Sequence, residues 1–238
     1  MKTVFFVAAA ASAVAASADA GFLGFSAFSR VASNGNRVID VVAVVSNAND
    51  RLLNVYNGTF TNNAGAGGST FFTQQAGLAT RGWKPDALTS NRSNSVDSFC
   101  TIGVEGGAPY YGEYYAASAV GADGSFTTGW SSLGNTFPAN AGWFISPPTL
   151  PDNVAESLAN FTGTRYDSNA ASAGASFGVW VAHFVMSGTG PALNVTMTGS
   201  AKDGNTGATT TATGSLIPAP GAIALIGFAG FASRRRRA

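Results

Sequence analysis

The sequence predicts a mainly β protein built as a single β-sandwich domain, on three observations. Apolar residues make up 45% of the 238-residue chain, so a sizeable core can form. Charged residues make up 11%, whereas long exposed helices need more Lys and Glu. Apolar and polar residues alternate in many short runs, which is the period of a half-buried strand. Asn-Gly and Asp-Gly pairs at 34–35, 123–124 and 203–204 separate such runs, as hairpin turns do. We assign the domain to residues 21–215.

The first 20 residues are typical of a secretory signal peptide. Lys2 supplies a positive charge, residues 4–16 supply an apolar stretch, and Ala18 and Ala20 supply the small side chains that precede a cleavage site. We expect cleavage after Ala20, which leaves Gly21 as the first residue of the mature chain.

Two strands show their burial directly in the sequence. VIDVVAVV at 38–45 is apolar on both faces, which predicts a central strand covered on two sides. ALNVTMT at 192–198 alternates, which predicts that Leu193, Val195 and Met197 face the core.

The other elements follow from the same patterns. Residues 175–187 predict a long strand on which His183 shares a face with Val179 and Val181. Residues 152–159, after Pro151, predict a short helix. The stretch that opens with VIDVVAVV resembles jelly-roll sandwiches of the cohesin and carbohydrate-binding kind, so the sandwich is expected to be jelly-roll-like. Further strands are expected near 22–31, 51–61, 69–74, 97–104, 125–130, 141–147, 159–167 and 208–216.

The C-terminal segment 216–238 joins a Pro-rich junction to an apolar run and an arginine cluster. The 13 uncharged residues 221–233 would form a hydrophobic helix of about 20 Å, which is short for a ~30 Å hydrocarbon core. The arginines would stay on the cytoplasmic side of a membrane. A removable sorting tag fits this pattern best, and a plain tail anchor or a lipid-anchor signal of the eukaryotic type stays open as an alternative.

The order of these parts resembles the PEP-CTERM sorting tail of exported bacterial proteins, although Ala219 stands where that family has glutamate. The resemblance covers 21 residues. It implies recognition by a sorting transpeptidase or protease of the exosortase type, transient contact of the helix with the membrane, and delivery to the cell surface or extracellular matrix. The signal residues are Pro218, Ala219, Pro220, Gly221, Arg234, Arg235, Arg236 and Arg237.

The charge balance of the body argues against a nucleic-acid partner. Between Gly21 and Ser233 the chain has 11 acidic and 8 basic residues, so no basic stripe is left to follow a phosphate backbone. The single cysteine, Cys100, excludes an internal disulfide and lies in an apolar run, which predicts a buried and unreactive thiol.

No cofactor is expected from the composition. One histidine and one cysteine are too few for a zinc site. A structural calcium stays open, because calcium takes several oxygen ligands and two turns offer them. The candidate ligands are Asn47, Asn49 and Asp50 in one turn and Asp203 and Asn205 in another.

Enzymatic activity is not expected either. GASFG at 174–178 matches the G-x-S-x-G pattern around Ser176, but a nucleophile elbow needs a strand before the serine and a helix after it. Glu105 and Glu113 are the nearest candidates for a glycosidase pair, and their Gly-rich surroundings favour solvated loop residues. A serine or glycoside hydrolase is therefore only the second alternative.

PYYGEYY at 109–115 is the most unusual local feature. Its tyrosines are expected to pack over the sandwich, and the other interpretation is an aromatic platform for a sugar ring. The platform residues would be Tyr110, Tyr111, Tyr114, Tyr115 and Trp130. The leading prediction is an exported, non-enzymatic protein with a structural or adhesive role. The first alternative is a carbohydrate-binding module whose partner is an extracellular polysaccharide.

Overall fold

The computed structural model describes residues 21–62, 72–73, 83, 91–103, 141–144, 154–186 and 193–216. This part of the chain is mainly β. Its strands are β1 (Phe22–Val31), β2 (Arg37–Val45), β3 (Arg51–Asn62), β4 (Phe99–Cys100), β5 (Ala141–Phe144), β6 (Glu156–Ser157), β7 (Thr164–Asp167), β8 (Phe177–Met186), β9 (Leu193–Lys202) and β10 (Thr209–Leu216). A 3-10 turn (Leu158–Asn160) and helix α1 (Ala170–Ala173) are the helical pieces within these ranges.

The strands form two antiparallel sheets. The first sheet has the order β4-β8-β2-β1-β7, with β6 also paired to β8, and the second has the order β10-β9-β3-β5. The pairs β1–β2 and β9–β10 are hairpins of neighbouring strands, whereas β2–β8 and β3–β9 join distant parts of the chain.

The central position of β2 confirms the prediction for residues 38–45. On its inner face, Ile39 and Val41 enter the main core cluster, which the first sheet shares with Leu52 of the second sheet. On its outer face, Val42 and Val44 enter a separate outer cluster. Every residue of β2 is buried, which explains why both faces of this strand are apolar.

The alternation in β9 is confirmed as well. Leu193, Val195 and Met197 are at most 2% exposed and belong to the main core cluster. The opposite face carries a row of cross-strand hydroxyl pairs between β9 and β10. These are Thr196–Ser215 at 3.0 Å, Thr198–Thr213 at 2.9 Å and Ser200–Thr211 at 2.9 Å.

A bulge in β8 overturns the predicted placement of His183. Val41 pairs with Ala182 and Val42 with Trp180, so Val181 is the extra residue. An extra residue moves every later side chain to the opposite face. His183 therefore lies on the outer face with Trp180, whereas Val179 lies in the main core cluster.

The predicted helix at 152–159 is wrong over its described residues. Val154 bridges to Arg51, and Glu156–Ser157 is strand β6 on the edge of β8. The backbone of this segment is bonded to other strands and turns, as when Ala155 donates to the carbonyl of Asp50 at 3.1 Å. Tertiary hydrogen bonds therefore override a weak helical pattern.

The real helix, α1, was not predicted. It has four residues and is fixed by a capping box between Asn169 and Ser172, a local hydrogen-bond exchange that does not depend on a hydrophobic period.

Two of the three predicted hairpin turns lie among the described residues, and both connect neighbouring strands. Asn34-Gly35 does connect β1 to β2, and Gly35 has a φ of +83°. The loop from Asp203 connects β9 to β10, but its positive φ falls at Gly207 rather than at Gly204. The pair at 123–124 lies outside the described residues.

Several predicted strands are shorter in the structure. Within the predicted strand at 97–104, the described strand is β4, which has two residues. Within the predicted strand at 159–167, the 3-10 turn comes first and only the last four residues form a strand, β7. Within 69–74, Phe72 forms an isolated bridge to Met186. The predicted strand at 125–130 lies outside the described residues. No helix in the described ranges is both long and apolar enough to cross a bilayer.

Candidate functional site

A buried ionic cluster occupies the outer face of the first sheet. Asp40 on β2 is 1% exposed, and its ladder partner His183 on β8 is fully buried. The Nδ1 atom of His183 lies 2.6 Å from Oδ1 of Asp40, and its Nε2 atom lies 3.0 Å from the carbonyl oxygen of Asn94. Arg30 donates to the other carboxylate oxygen of Asp40. Both ring nitrogens of His183 therefore lie within hydrogen-bond distance of an oxygen atom.

Aromatic rings shield this cluster from water. The His183 ring stacks on Phe99 with centroids 5.0 Å apart and meets the edge of Trp180 at 5.7 Å. Arg92 packs on the outer cluster, and its guanidinium lies over the Phe161 ring at 4.3 Å from the ring centroid. Cation–π contacts of this kind gain strength when the cation is partly desolvated.

The ionic cluster also anchors residues 91–98, the covering segment, which crosses the outer face without forming a strand. This backbone forms no strand ladder, so side chains of the first sheet and of the β1–β2 turn supply part of its hydrogen bonds. The carbonyls of Arg92, Asn94 and Ser95 accept from Arg30, His183 and Asn36 respectively.

These contacts leave His183 unsuited to activate Ser176. Ser176 is exposed and lies after α1 and before β8, the reverse of the order that a nucleophile elbow needs. The two residues are seven apart along an extended strand, which is roughly 20 Å. Both nitrogens of His183 are engaged elsewhere. Glu105 and Glu113 lie outside the described residues.

The two turns with calcium-type oxygens do come together. The amide of Gly204 donates to Oδ1 of Asp50 at 3.1 Å, and Oδ2 of Asp50 accepts from Ser46 and Asn47. Oδ1 of Asp203 accepts two amides at 2.6 Å. These amides, first that of Thr206, hold the pKa of the Asp203 carboxyl below its usual value. The carboxylates of Asp50 and Asp203 therefore accept hydrogen bonds from backbone amides and stabilise the two turns.

One carboxylate oxygen of these turns is buried and has no hydrogen-bond partner. Oδ2 of Asp203 is buried without a hydrogen-bond partner, whereas calcium takes six to eight oxygens. The described ranges contain no group of three or more His, Cys, Asp and Glu placed to hold a metal ion. Of the other candidate ligands, Asn49 and Asn205 are exposed on the same two turns.

A depression opens where three strands of the first sheet meet. Its volume is about 400 Å³, within the range of small-molecule sites. It forms around the end of β1 and the starts of β2 and β7, where Val31 pairs with Arg37 and Ser29 pairs with Thr164. The depression is lined by Ser29, Arg30, Val31, Arg37, Gly163, Thr164 and Tyr166.

Arg37 is the most buried charge of this depression. It is 7% exposed and lies on the inner face, two residues before Ile39 of the main core cluster. Burial lowers the pKa of the Arg37 guanidinium, and the neighbouring Tyr166 acts in the opposite direction. The group stays charged, because an arginine in a protein does not lose its proton near neutral pH.

Sequence reasoning missed this depression. Its residues come from 29–31, 37, 163–164 and 166, and the pairings of β1 with β2 and with β7 bring them together. No motif spans such a separation. The single available signal was the position of Arg37 directly before an apolar strand, which places a charge at the edge of the core.

Cys100 is placed as predicted. It is 3% exposed in β4, and burial raises the pKa of its thiol well above the usual value. A thiol that rarely ionises is a poor nucleophile.

The remaining predicted site residues lie outside the described residues. They are Ala18 and Ala20 of the cleavage site, the tyrosines at 110, 111, 114 and 115, Trp130, and the sorting signal at 218–221 and 234–237. Gly21 is described and precedes β1 directly. No family model, no curated protein and no solved structure matches this chain.

Proposed function

We propose that this chain is an exported protein of the cell surface or extracellular matrix with a non-enzymatic, structural or adhesive role. The observation that carries the proposal is the position of the folded body between the two end segments. Strand β1 begins one residue after the expected cleavage site, and β10 ends at Leu216, where the sorting tail is expected to begin. Because Leu216 is buried in the main core cluster, removal of residues 1–20 and of the tail beyond Leu216 would leave the core of this body complete.

The body is proposed to be one jelly-roll-like β-sandwich. Both sheets contribute to one main core cluster, in which Phe25 and Val41 come from the first sheet and Val55 and Val195 from the second. Two sheets that bury one shared core are the usual solution for an antiparallel β chain of this length.

A stable, unreactive body suits a structural role. Hydrogen bonds from Arg30, Asn36 and His183 hold the covering segment, and Cys100 is buried. The described lining residues of the depression include no His, Cys, Asp or Glu that could serve as a general base. Binding is the activity that this arrangement supports.

The proposal is tested by the intact mass of the protein recovered from its native cells, from the medium and from the membrane fraction. We expect a mature form that starts at Gly21 and lacks Arg234–Arg237. The matched variant replaces the four arginines with serine and is expected to stay unprocessed. A chain in the cytosol with Met1 attached would refute export, and an arginine-bearing form found only in membranes would replace sorting with a plain anchor.

A further inference from the structure

We propose that the turn at residues 46–50 is a binding site for the α-ammonium group of Gly21 in the processed chain. Removal of residues 1–20 converts the neutral amide of Gly21 into a cation beside the buried carboxylate of Asp50, so the mature protein is more stable than its precursor. The inference rests on the proposed function, because it takes the expected cleavage after Ala20 as the event that creates this charge.

The backbone of Gly21 is held by this turn. Its N–H donates to Oγ of Ser46 at 2.9 Å, and its carbonyl accepts from the amide of Ser46 at 3.1 Å. Gly21 is buried, and β1 begins at the next residue. The nitrogen that becomes the first atom of the processed chain therefore has a fixed position in the fold.

Ser46 connects that nitrogen to a carboxylate. The Ser46 hydroxyl donates to Oδ2 of Asp50 at 2.9 Å. Two hydrogen bonds in series place the Gly21 nitrogen and Oδ2 of Asp50 at most about 6 Å apart, a range in which a carboxylate favours the charged form of a nearby amine.

Asp50 is a buried carboxylate that lacks a cation. Its exposure is 0%, and it accepts hydrogen bonds from two backbone amides as well as from Ser46. None of the salt bridges among the described residues involves Asp50. Neutral donors stabilise a buried carboxylate but leave its net charge in place, so an ammonium at Gly21 is favourable.

The space around the nitrogen fits glycine as the first residue. A Cβ on Gly21 would lie 2.1 Å from Oγ1 of Thr210, which itself accepts from the amide of Phe22 at 2.7 Å. The φ of Gly21 is +153°, a value that residues with side chains rarely adopt. A chain that began at Ala20 would carry its ammonium one residue further along the backbone, about 3.8 Å away. The site therefore distinguishes one cleavage position from the next.

Acetylation of the α-amine tests the charge without removing the hydrogen bond. Chain 21–238 is released from an N-terminal fusion by a protease that leaves Gly21 first, and an N-terminal acetyltransferase modifies part of the preparation. Acetylated Gly21 keeps an N–H for Ser46 and has no positive charge. We expect acetylation to lower the urea midpoint at pH 7 by about 0.5 M. An unchanged midpoint would overturn the proposal.

Asp50→Asn identifies the partner of the ammonium. In this variant, acetylation is expected to change the midpoint by less than about 0.1 M, because the negative charge is gone. Asp40→Asn is the matched control, since Asp40 is also buried and pairs with Phe28, roughly 20 Å along β1 from Gly21. Its loss on acetylation should equal that of the unchanged chain. An equal loss in Asp50→Asn, or disappearance of the loss in both variants, would overturn the pairing.

The reactivity of the α-amine gives a second measurement, which decides the matter if Asp50→Asn does not fold. An amine beside a carboxylate stays protonated, and a protonated amine does not react with an acylating reagent. Native chain 21–238 is expected to react at Gly21 at least tenfold more slowly than a chain that begins at Ala20 reacts at its own α-amine. Each rate is normalised to that of the same chain in urea. Equal normalised rates would overturn the proposal.

These outcomes are separable from the test of the proposed function. The fusion protease sets the first residue of every chain, so the result does not depend on processing in the native cells. A native protein that starts at another residue in the intact-mass measurement would refute the expected cleavage and leave the Gly21 site as a property of chain 21–238. An unchanged midpoint on acetylation would refute the site and leave export untouched.

Discussion

Asp40 and His183 are expected to be energetically coupled, and a double-mutant cycle measures that coupling. The variants are Asp40→Asn, which keeps the shape of the side chain and removes its charge, and His183→Phe, which keeps a ring against Phe99 and removes both nitrogens. Each single variant removes one partner of a buried ionic contact and leaves the other group without compensation.

The expected magnitude follows from the geometry. The atoms Nδ1 and Oδ1 are 2.6 Å apart, which is the distance of a short hydrogen bond to a carboxylate. A hydrogen bond to a charged group contributes about 1.5–3 kcal/mol to stability. Breaking a buried pair on one side costs about 3–5 kcal/mol, so each single variant is expected to lose about 3 kcal/mol. The double variant is expected to lose about 2 kcal/mol less than the sum.

Urea unfolding of the four proteins at pH 7 gives these free energies, provided that the transition is two-state in each. The control cycle pairs Asp40→Asn with Val195→Ala, a core residue of the second sheet. Residues without shared contacts add within about 0.5 kcal/mol. If Asp40 and His183 were additive within the same limit, the pair would not be the unit that anchors the covering segment.

Three further outcomes are expected. Cys100 in the native protein should react with a soluble disulfide reagent far more slowly than in urea, because burial raises its pKa, and fast native labelling would contradict the placement of β4. Gly163→Ala should lower the free energy of unfolding by roughly 2 kcal/mol, since φ is +119° and a Cβ would lie 2.5 Å from the Ser29 carbonyl; an unchanged urea midpoint would contradict this backbone. The pKa of Asp203 is lower in the folded protein than in the unfolded protein. Its ionised carboxylate therefore stabilises the fold above the unfolded pKa, and this stabilisation is lost as the pH falls through the lower pKa of the folded protein. Asp203→Asn should therefore flatten the pH dependence of the urea midpoint below about pH 4, and identical acid profiles would refute the assignment.

Much of the framework of the two sheets is readable from the sequence. Residues 38–45 are apolar on both faces, and the structure places them in the middle of the first sheet with a cluster on each side. The clean alternation at 192–198 gives the inner face of β9 correctly. These predictions succeed because burial on one or two faces dictates residue type at every second position.

The outer face and the depression are not readable in the same way. The bulge at Val181 has no glycine to mark it, and it changes the face of His183 and therefore the chemistry of that residue. The depression depends on a pairing between β1 and β7 that no local pattern encodes. Sequence periodicity reports burial, whereas these features depend on register and on contacts between distant segments.

The distribution of charge differs between the two faces of the first sheet. The ion pairs Arg30–Asp40, Arg92–Glu156 and Arg165–Asp167 lie on the outer face of the first sheet. Arg92 belongs to the covering segment, and Arg30 also donates to its backbone carbonyl, so the first two pairs help to hold that segment in place. Arg37 lies instead on the inner face of this sheet, where it lines the depression.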